Sequence, residues 1–314
     1  MIVLRSMLYF PGNNVRMAVK AATLPADAVI FDLEDAVTLD DKETARIIAR
    51  DFIGLIKRHG INTFVRVNSL TTGLTIEDLK STVVEGLDGV MLPKAETESD
   101  LSELDKILSK IEEALGLTAE SIKLIPLIET AKGVTNSFEI ASASSRVVAV
   151  AFGAGDYYRD LGRDVSSLSK EENELLYARS QIVNTSRAAG LQAIDTPFLG
   201  LLTDREGFLR ETRLALQLGF KGKQCIHPSQ IEPLNNIFSP SQEEVDRAKR
   251  TVEVFEEAQA RGLGAISFEG KMVDYMTYQH AKDVIVTAQI ISDKENATDK
   301  MHPVSLSEVF SCDR

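Results

Sequence analysis

The sequence has little cysteine, no long apolar run and no excess of positive charge, and each absence excludes a class of protein. Its two cysteines, Cys225 and Cys312, cannot build a disulfide framework, so a reducing, cytoplasmic location is expected. No apolar segment approaches the ~20 residues that a membrane-spanning helix needs. Arg5, Pro11 and Gly12 interrupt any signal-peptide core. A net charge of −12 argues against a general nucleic-acid binder.

The apolar residues form short runs that alternate with longer amphipathic segments. Most runs are rich in Val, Ile and Leu, as is typical of strands buried on both faces of a parallel sheet. The predicted strands are Leu4–Phe10, Ala28–Leu33, Thr63–Val67, Gly89–Leu92, Lys123–Ile128, Val147–Phe152, Leu191–Ile194 and Gly222–Ile226. Helical spacing predicts helices over Asp41–His59, Leu101–Leu115, Lys170–Ala189 and Arg205–Leu218. This alternation indicates parallel βαβ units.

Eight strands within about 230 residues predict an α/β fold of the (β/α)₈ TIM-barrel type. A doubly wound open sheet is the alternative, but that fold usually carries a phosphate-binding loop after its first strand. Here Pro11–Asn14 follows the first strand, and Gly153–Gly155 is only a fragment of a dinucleotide fingerprint. Residues 1–230 are therefore assigned to the barrel. Residues 231–314 are predicted to form a helical extension that contacts a neighbouring subunit, with helices near Ser241–Gly262 and Asp274–Ile291.

Charged or polar residues stand at the carboxyl ends of nearly all predicted strands. In a barrel these ends meet at one mouth, where the active sites of this fold lie. A buried charge is costly unless it is paired or bound to a metal, so a ring of charges there indicates a functional site. Capping of the strands at the solvent boundary is the alternative. The residues are Asp32, Glu34, Asp35, Arg66, Asn68, Lys94, Glu129, Asp156, Asp195 and His227.

Glu129 and Asp156 are the candidate metal ligands, because they follow adjacent predicted strands and would face one cavity. Two oxygen ligands with open positions for water and substrate suit Mg²⁺. Zinc is disfavoured, since neither cysteine nor clustered histidine supplies a softer site. The alternative is that one carboxylate pairs with Arg66 or Lys94 and that no metal binds.

Three other residues have two interpretations each. A guanidinium at Arg66 can hold a carboxylate in a two-pronged grip, or it can form an ion pair with Glu34 or Asp35. His227 lies at the last strand end, where a catalytic and a structural role remain equally open. Asp274 precedes the last predicted helix, and its local sequence favours an N-cap role.

Eight segments together form a recognisable set of motifs. They are Arg5–Asn13, Phe31–Asp35, Val65–Ser69, Met91–Lys94, Ile125–Ala131, Phe152–Asp156, Gly222–Pro228 and Gly270–Asp274. In these segments and in their order, the sequence resembles the citrate lyase β-subunit-like carbon–carbon lyases of the HpcH/HpaI aldolase superfamily, which include malyl-CoA, citramalyl-CoA and citryl-CoA lyases. The stretch Gly190–Asp195 points in particular to the citramalyl-CoA lyases.

This resemblance implies a (β/α)₈ barrel, usually a homotrimer, that binds Mg²⁺ and a CoA thioester and cleaves it into an acyl-CoA and an α-keto acid. It implies Mg²⁺ on Glu129 and Asp156, and the keto-acid carboxylate on Arg66. It implies that Asp274 of a neighbouring subunit is the general acid/base, which replaces the N-cap as its expected role. The implied CoA contacts are Tyr9, Arg16, Lys20, Ile226 and His227.

Further roles are expected around this core set. Backbone N–H groups near Gly153 and Ala154 are expected to donate to the substrate anion. Glu34, Asp35 and Lys94 are expected to orient the ligands and to balance charge. Many relatives carry glutamate where this chain has Gly155, and this difference leaves the substrate of the chain open. The keto acid could be oxaloacetate, pyruvate or glyoxylate.

Other functions remain open on the same scaffold. The chain could be the citryl-cleaving β subunit of a citrate lyase complex, acting on a thioester that an acyl-carrier partner presents. It could catalyse thioester hydrolysis or a malate-synthase-like condensation. It could also bind CoA or a keto acid without turnover.

Overall fold

In the computed structural model of the chain, which describes residues 2–298, eight parallel strands close into a barrel in which β8 pairs back to β1. Every strand lies within two residues of its predicted bounds, and the predicted (β/α)₈ fold is confirmed. The strands are β1 Ser6–Pro11, β2 Ala28–Asp32, β3 Asn62–Arg66, β4 Gly89–Leu92, β5 Lys123–Ile128, β6 Ala149–Phe152, β7 Gln192–Asp195 and β8 Gly222–Cys225.

The strands are buried on both faces, which is why their sequences lack polar alternation. Their register places the carboxyl ends of neighbouring strands side by side. Pro11 of β1 pairs with Asp32 of β2, and Asp32 pairs in turn with Arg66 of β3. Polar residues that end these strands therefore meet at one mouth of the barrel.

Helices cover the outside of the barrel. Their bounds are α1 Val15–Ala21, α2 Lys42–Arg58, α3 Thr75–Thr82, α4 Glu98–Leu115, α5 Ala131–Thr135, α6 Ser137–Ser142, α7 Ala154–Asp160, α8 Leu176–Ala188, α9 Arg205–Leu218 and α10 Ile231–Phe238. The helix predicted over Lys170–Ala189 begins later than expected, because Glu172 adopts a left-handed conformation (φ 51°). A short 3₁₀ turn, Asn173–Leu175, then leads into α8.

The chain divides into two compact units, one of which is Leu4–Asn236 with the barrel. The other contains residues 237–298 and consists of α11 Gln242–Ala260, an antiparallel hairpin of β9 Ile266–Phe268 and β10 Lys271–Val273, and α12 Tyr275–Thr298. Phe255 of α11 stacks on Tyr278 of α12 at 4.9 Å between ring centroids. The predicted domain boundary at residue 230 stays a prediction. Cys312 and the end of the predicted extension lie outside the described residues.

Between residues 2 and 298, none of the helices has the length and apolar character that crossing a bilayer requires.

Candidate active site

A cavity of about 380 Å³ opens at the carboxyl ends of the strands. Its position agrees with the mouth at which the active sites of this fold lie. Strand ends and the loops after them supply its walls. The lining residues are Tyr9, Phe10, Pro11, Asp32, Asp35, Ala36, Arg66, Leu127, Glu129, Gly153, Gly155, Asp156, Arg159, Thr196, Pro197, Leu199, Gln224 and Ile226.

Arg66 forms its two-pronged interaction with Asp32, its register partner on β2. Arg66 Nε and Nη2 donate to the two carboxylate oxygens of Asp32 at 2.7 and 2.6 Å. Nη1 lies 3.2 Å from Glu34 Oε2, so the alternative ion pair with Glu34 is also present. Asp32 in turn accepts from the backbone N–H groups of Glu34 and Ala36, at 2.9 and 3.1 Å. The loop after β2 and the guanidinium are thus held by one carboxylate.

Tyr9 lies beneath this guanidinium, with Arg66 Cζ 5.0 Å from the ring centroid. Its hydroxyl donates to Gln224 Oε1 at 2.8 Å. Gln224 is held in this orientation because its Nε2 donates to the backbone oxygens of Phe152 and Asp195, at 2.8 and 3.0 Å. Burial raises the pKa of Tyr9, so its hydroxyl keeps its proton at neutral pH. The floor of the cavity is a fixed hydrogen-bonded layer across β1, β6, β7 and β8.

Glu129 follows β5 and is buried. Its Oε1 accepts from the backbone N–H of Lys94 at 2.9 Å. Lys94 adopts a left-handed conformation (φ 51°), which is uncommon for a residue with a side chain. This turn lets the Lys94 backbone reach Glu129 while its Nζ reaches Glu34 at 2.5 Å. The predicted role of Lys94 and Glu34 in orienting the site is compatible with these contacts.

Because Gly153 has no side chain, the side chain of Glu129 can occupy the space beside it. A Cβ at position 153 would stand 2.6 Å from Glu129 Oε2 and 2.7 Å from Glu129 Cβ. The Gly153 N–H donates to Ile128 O, at the end of β5, at 2.9 Å. Ala154 is buried, and its N–H donates to Thr196 Oγ1 at 3.0 Å rather than into the cavity. Both predicted backbone donors, the Gly153 and Ala154 amides, are therefore engaged within the protein and do not point a free N–H into the cavity.

Asp156 lies in the first turn of α7, four residues beyond the end of β6, and not at the strand end as predicted. Its Oδ1 accepts from Arg159 Nη1 at 2.6 Å. Both Glu129 and Asp156 line the cavity. Asp156 therefore pairs with Arg159, and with neither Arg66 nor Lys94, the two cations that the alternative without a metal expected.

Burial raises the pKa of Glu129 to about 8, and the negative charges of Glu34 and Asp156 add to this effect. Glu129 thus has too little positive charge around it to compensate its own, and Asp156, whose partner is Arg159, lines the same cavity. Such a pair fits a divalent cation that prefers oxygen ligands. Among the described residues, no group of three or more His, Cys, Asp or Glu side chains is placed to hold a metal, so water or substrate would supply the other ligands.

Asp195 does not belong to the mouth, which corrects the predicted ring of charges. Its carboxylate accepts from Lys223 Nζ at 2.6 Å and from Arg179 Nε at 3.0 Å. Glu211 contacts the same two cations, and Glu172 contacts Arg179. We call these five buried residues the outer charge cluster. Gln224 lines the cavity, and side chains alternate along a strand, so the preceding residue of β8, Lys223, points out of the barrel. Asp195 is the register partner of Lys223 on β7.

The residues predicted to contact CoA are dispersed. Tyr9 and Ile226 line the cavity, and Ile226 is exposed. Arg16 and Lys20 lie four residues apart on the exposed surface of α1 and do not line the cavity. His227 caps the 3₁₀ turn Pro228–Gln230, where its Nδ1 contacts Ser229 Oγ at 2.8 Å.

Asp274 caps α12, as its local sequence predicts. Its Oδ1 accepts from the Thr277 backbone N–H at 2.9 Å and from Thr277 Oγ1 at 2.8 Å. These hydrogen bonds lower the pKa of Asp274. A role in catalysis stays a prediction.

Sequence reasoning missed three residues of the site: Gln224, Arg159 and Leu199. Asp32 was predicted among the polar residues at the strand ends, but sequence does not show which of the three nearby acids holds Arg66 in a two-pronged contact. Arg159 follows Asp156 by three residues, a spacing that brings side chains together on a helix. Nothing in the sequence marks Gln224 or Leu199.

The mouth of this TIM barrel holds two carboxylates, one of them buried, beside an arginine that a third carboxylate fixes in place, an arrangement typical of the active site of a barrel enzyme. Residues 5–228 match the sequence model of the family described as HpcH/HpaI aldolase/citrate lyase. The chain belongs to this family, as its motifs predicted.

Relatives of the chain include lyases. Citrate lyase subunit beta from Haemophilus influenzae is 41% identical over 285 residues, which are 91% of this chain and 97% of the relative. Mitochondrial citramalyl-CoA lyase from Homo sapiens is 34% identical over 92% of this chain and 87% of the relative. Identity is therefore higher to this citrate lyase subunit than to this citramalyl-CoA lyase, the reverse of the order that Gly190–Asp195 suggested.

Protein CitE from Mycobacterium tuberculosis, in complex with magnesium, acetoacetate and coenzyme A, superposes with a TM-score of 0.71. It is 31% identical in sequence, and the match covers 91% of this chain and 98% of that protein.

Proposed function

We propose that this chain is a Mg²⁺-dependent carbon–carbon lyase that cleaves a 3-hydroxyacyl-CoA thioester into an acyl-CoA and an α-keto acid. The bond between the hydroxyl-bearing carbon and the thioester α-carbon breaks. The hydroxyl proton goes to a base, its oxygen becomes the keto oxygen, and the α-carbon takes a proton to give the acyl-CoA. The observation that carries this proposal is the Glu129–Asp156 pair facing the cavity beside Arg66.

Glu129 and Asp156 would hold Mg²⁺, which supplies Lewis-acid stabilisation of the charge that develops on the reacting oxygen. The Lys94 N–H fixes one oxygen of Glu129, and Gly153 leaves room for the other. These two contacts hold the carboxylate in place before any ligand arrives. Relatives in the family support this assignment, since CitE from Mycobacterium tuberculosis binds magnesium together with coenzyme A.

Arg66 would bind the keto-acid carboxylate. A guanidinium has five N–H donors, and Asp32 and Glu34 face one donor on each of its three nitrogens. One N–H on each terminal nitrogen is left for a substrate. Because Asp32 and the Tyr9 ring fix the guanidinium plane, the substrate carboxylate would be held in one orientation.

Asp274 would exchange the proton with the substrate, delivered from a neighbouring subunit of a homotrimer. Its lowered pKa keeps it ionised at neutral pH, as a proton acceptor must be. Arg16 and Lys20 would meet the anionic groups of CoA on the surface of α1, with Ile226 and His227 contributing at the end of β8. We also place the protein in the cytoplasm, in accordance with its two cysteines, of which Cys225 is buried and unpaired.

The test is cleavage of citramalyl-, malyl- and citryl-CoA with and without Mg²⁺, read as released keto acid. We expect Mg²⁺-dependent release from at least one thioester and its loss in Glu129→Ala, whereas the control Glu103→Ala, at an exposed position on α4, keeps full activity. Mg²⁺-dependent turnover by Glu129→Ala would refute the metal assignment.

Mixed oligomers test the trans delivery of Asp274. Asp274→Asn and Glu129→Ala should each be inactive alone. Co-expressed, they should restore activity at about one quarter of the sites, because some intact barrels then receive an intact Asp274 from a neighbour. No restoration in stable mixed trimers would place Asp274 in its own chain or outside the mechanism.

A second candidate is the β subunit of a citrate lyase complex, which the 41% identity to such a subunit favours. In that case cleavage would require a citryl thioester on an acyl-carrier protein, and the free CoA thioesters would be poor substrates.

A further inference from the structure

Helix α7, in the wall of the cavity, carries a glycine and an arginine that both line the cavity. Gly155 and Arg159 both line the cavity and lie four residues apart on α7, a spacing that places them on the same side of the helix. Gly155 is not required by its backbone, because its φ is not among the positive values. An added Cβ would meet only Leu199 Cδ2, at an ordinary 3.7 Å. The glycine therefore leaves open space between α7 and Leu199.

Arg159 is the cation of the cavity that retains donors for a second anion. Among the cavity-lining residues the cations are Arg66 and Arg159. Each nitrogen of Arg66 already faces a protein carboxylate, and the donors that it has left are assigned to the first carboxylate of the substrate. Arg159 uses only Nη1, on Asp156, and within residues 2–298 its other nitrogens make no protein hydrogen bond.

The candidate substrates differ at one position that this space can distinguish. The hydroxyl-bearing carbon carries hydrogen in a malyl thioester, a methyl group in a citramalyl thioester and a carboxymethyl group in a citryl thioester. A methyl group would fill the space beside Leu199 but would leave Arg159 unused. A carboxymethyl group fills the same space and ends in the anion that a guanidinium binds.

We propose that Gly155, Leu199 and Arg159 form a subsite for this substituent, and that the chain acts on a citryl thioester and forms oxaloacetate. The inference rests on the proposed function and names its substrate class. Leu199 and the gap above Gly155 would accept the methylene group, and Arg159 would bind the second carboxylate. Specificity would then lie on α7, apart from the groups that perform the cleavage.

The test compares kcat/KM for citryl-, citramalyl- and malyl-CoA in the wild type, in Arg159→Gln and in the control Arg163→Gln, at an exposed arginine that does not line the cavity. We expect the wild type to prefer the citryl thioester. Arg159→Gln should lose ~10-fold or more of that activity relative to the malyl thioester, since a charge-assisted hydrogen bond to the carboxylate is removed. Arg163→Gln should keep the wild-type ratio.

A binding measurement accompanies the kinetics. Isothermal titration of oxaloacetate and pyruvate into the Mg²⁺-loaded protein should show that Arg159→Gln weakens oxaloacetate alone. Gly155→Leu, which fills the space, should reduce citryl cleavage far more than malyl cleavage.

The outcomes separate this inference from the proposed function. Absence of Mg²⁺-dependent cleavage of every thioester, carrier-bound citryl included, would overturn both. Cleavage with a wild-type preference for citramalyl- or malyl-CoA would overturn the subsite only. An equal loss for all three thioesters in Arg159→Gln would also overturn it, because Arg159 would then act on Asp156 or on CoA.

Discussion

Replacing Gly153 with alanine would place a methyl group in space that Glu129 already occupies. The new Cβ would stand 2.6 Å from Glu129 Oε2 and 2.7 Å from Glu129 Cβ. The Cβ of Glu129 is fixed by its backbone, so rotation of the side chain cannot relieve the second contact, and the ends of β5 and β6 must move apart. Overpacking of this kind costs ~1–3 kcal/mol of unfolding free energy. The Glu129 carboxylate should also leave its position, with Mg²⁺ binding weakened ~10-fold or more.

Gly155→Ala is the matched control, because its Cβ would meet only Leu199 Cδ2 at 3.7 Å. Urea unfolding followed by circular dichroism and calorimetric titration with Mg²⁺ should separate the two variants. We expect Gly155→Ala to match or slightly exceed the wild type in stability, since alanine favours a helix over glycine by up to about 1 kcal/mol. Equal stability and equal Mg²⁺ affinity in both variants would refute the role of Gly153 as the space for Glu129.

Three further predictions concern stability. Asp32→Asn removes a buried partner of Arg66 and should lower the unfolding free energy by about 3 kcal/mol in urea unfolding, where an unchanged midpoint would contradict the ion pair. Burial raises the pKa of Glu211 to about 7, so its contribution is complete below its unfolded value of 4.5 and is lost as the pH rises through 7. Glu211 should therefore contribute up to about 3 kcal/mol to a fall in stability from pH 4.5 to 8, and Glu211→Gln should remove this part of the profile, while the part due to Glu129 remains. Ser241→Ala should cost about 1 kcal/mol, measured by thermal unfolding, because Ser241 Oγ caps α11 by accepting from the Glu244 N–H.

The sequence predicted the barrel because its strands are buried on both faces. Runs such as Ala28–Leu33 and Lys123–Ile128 have no polar alternation, and the structure places them within two residues as β2 and β5. Where a left-handed residue interrupts a helical pattern, as at Glu172, the predicted start was too early. Apolar periodicity does not detect such a turn, because the residue itself is an ordinary glutamate.

The direction in which side chains point at the strand ends was harder to predict from the sequence than the strands themselves. Asp195 follows the same sequence pattern as Glu129, yet it points out of the barrel toward Lys223. The direction depends on the strand's register with its neighbours, which a single sequence does not show. Likewise, the motif around Asp32 names three acids but not the one that Arg66 grips. Arg159 belongs to the site because α7, which begins directly after β6, is so short that its last turn still lines the cavity.

The outer charge cluster constrains how the part of the barrel that contains β7 and β8 can fold and how its sequence can change in evolution. Its members come from β7, β8, α8, α9 and the turn before α8, and none of these charges can be buried alone without a large penalty. These elements should therefore dock together late in folding, when all five partners are present. For the same reason, an altered charge at Asp195 or Lys223 should be tolerated only together with a compensating change in its partner, which a double-mutant cycle would reveal as strong coupling. The part of the barrel formed by β7, β8 and the helices that carry the other members of the cluster would then be inherited as one unit.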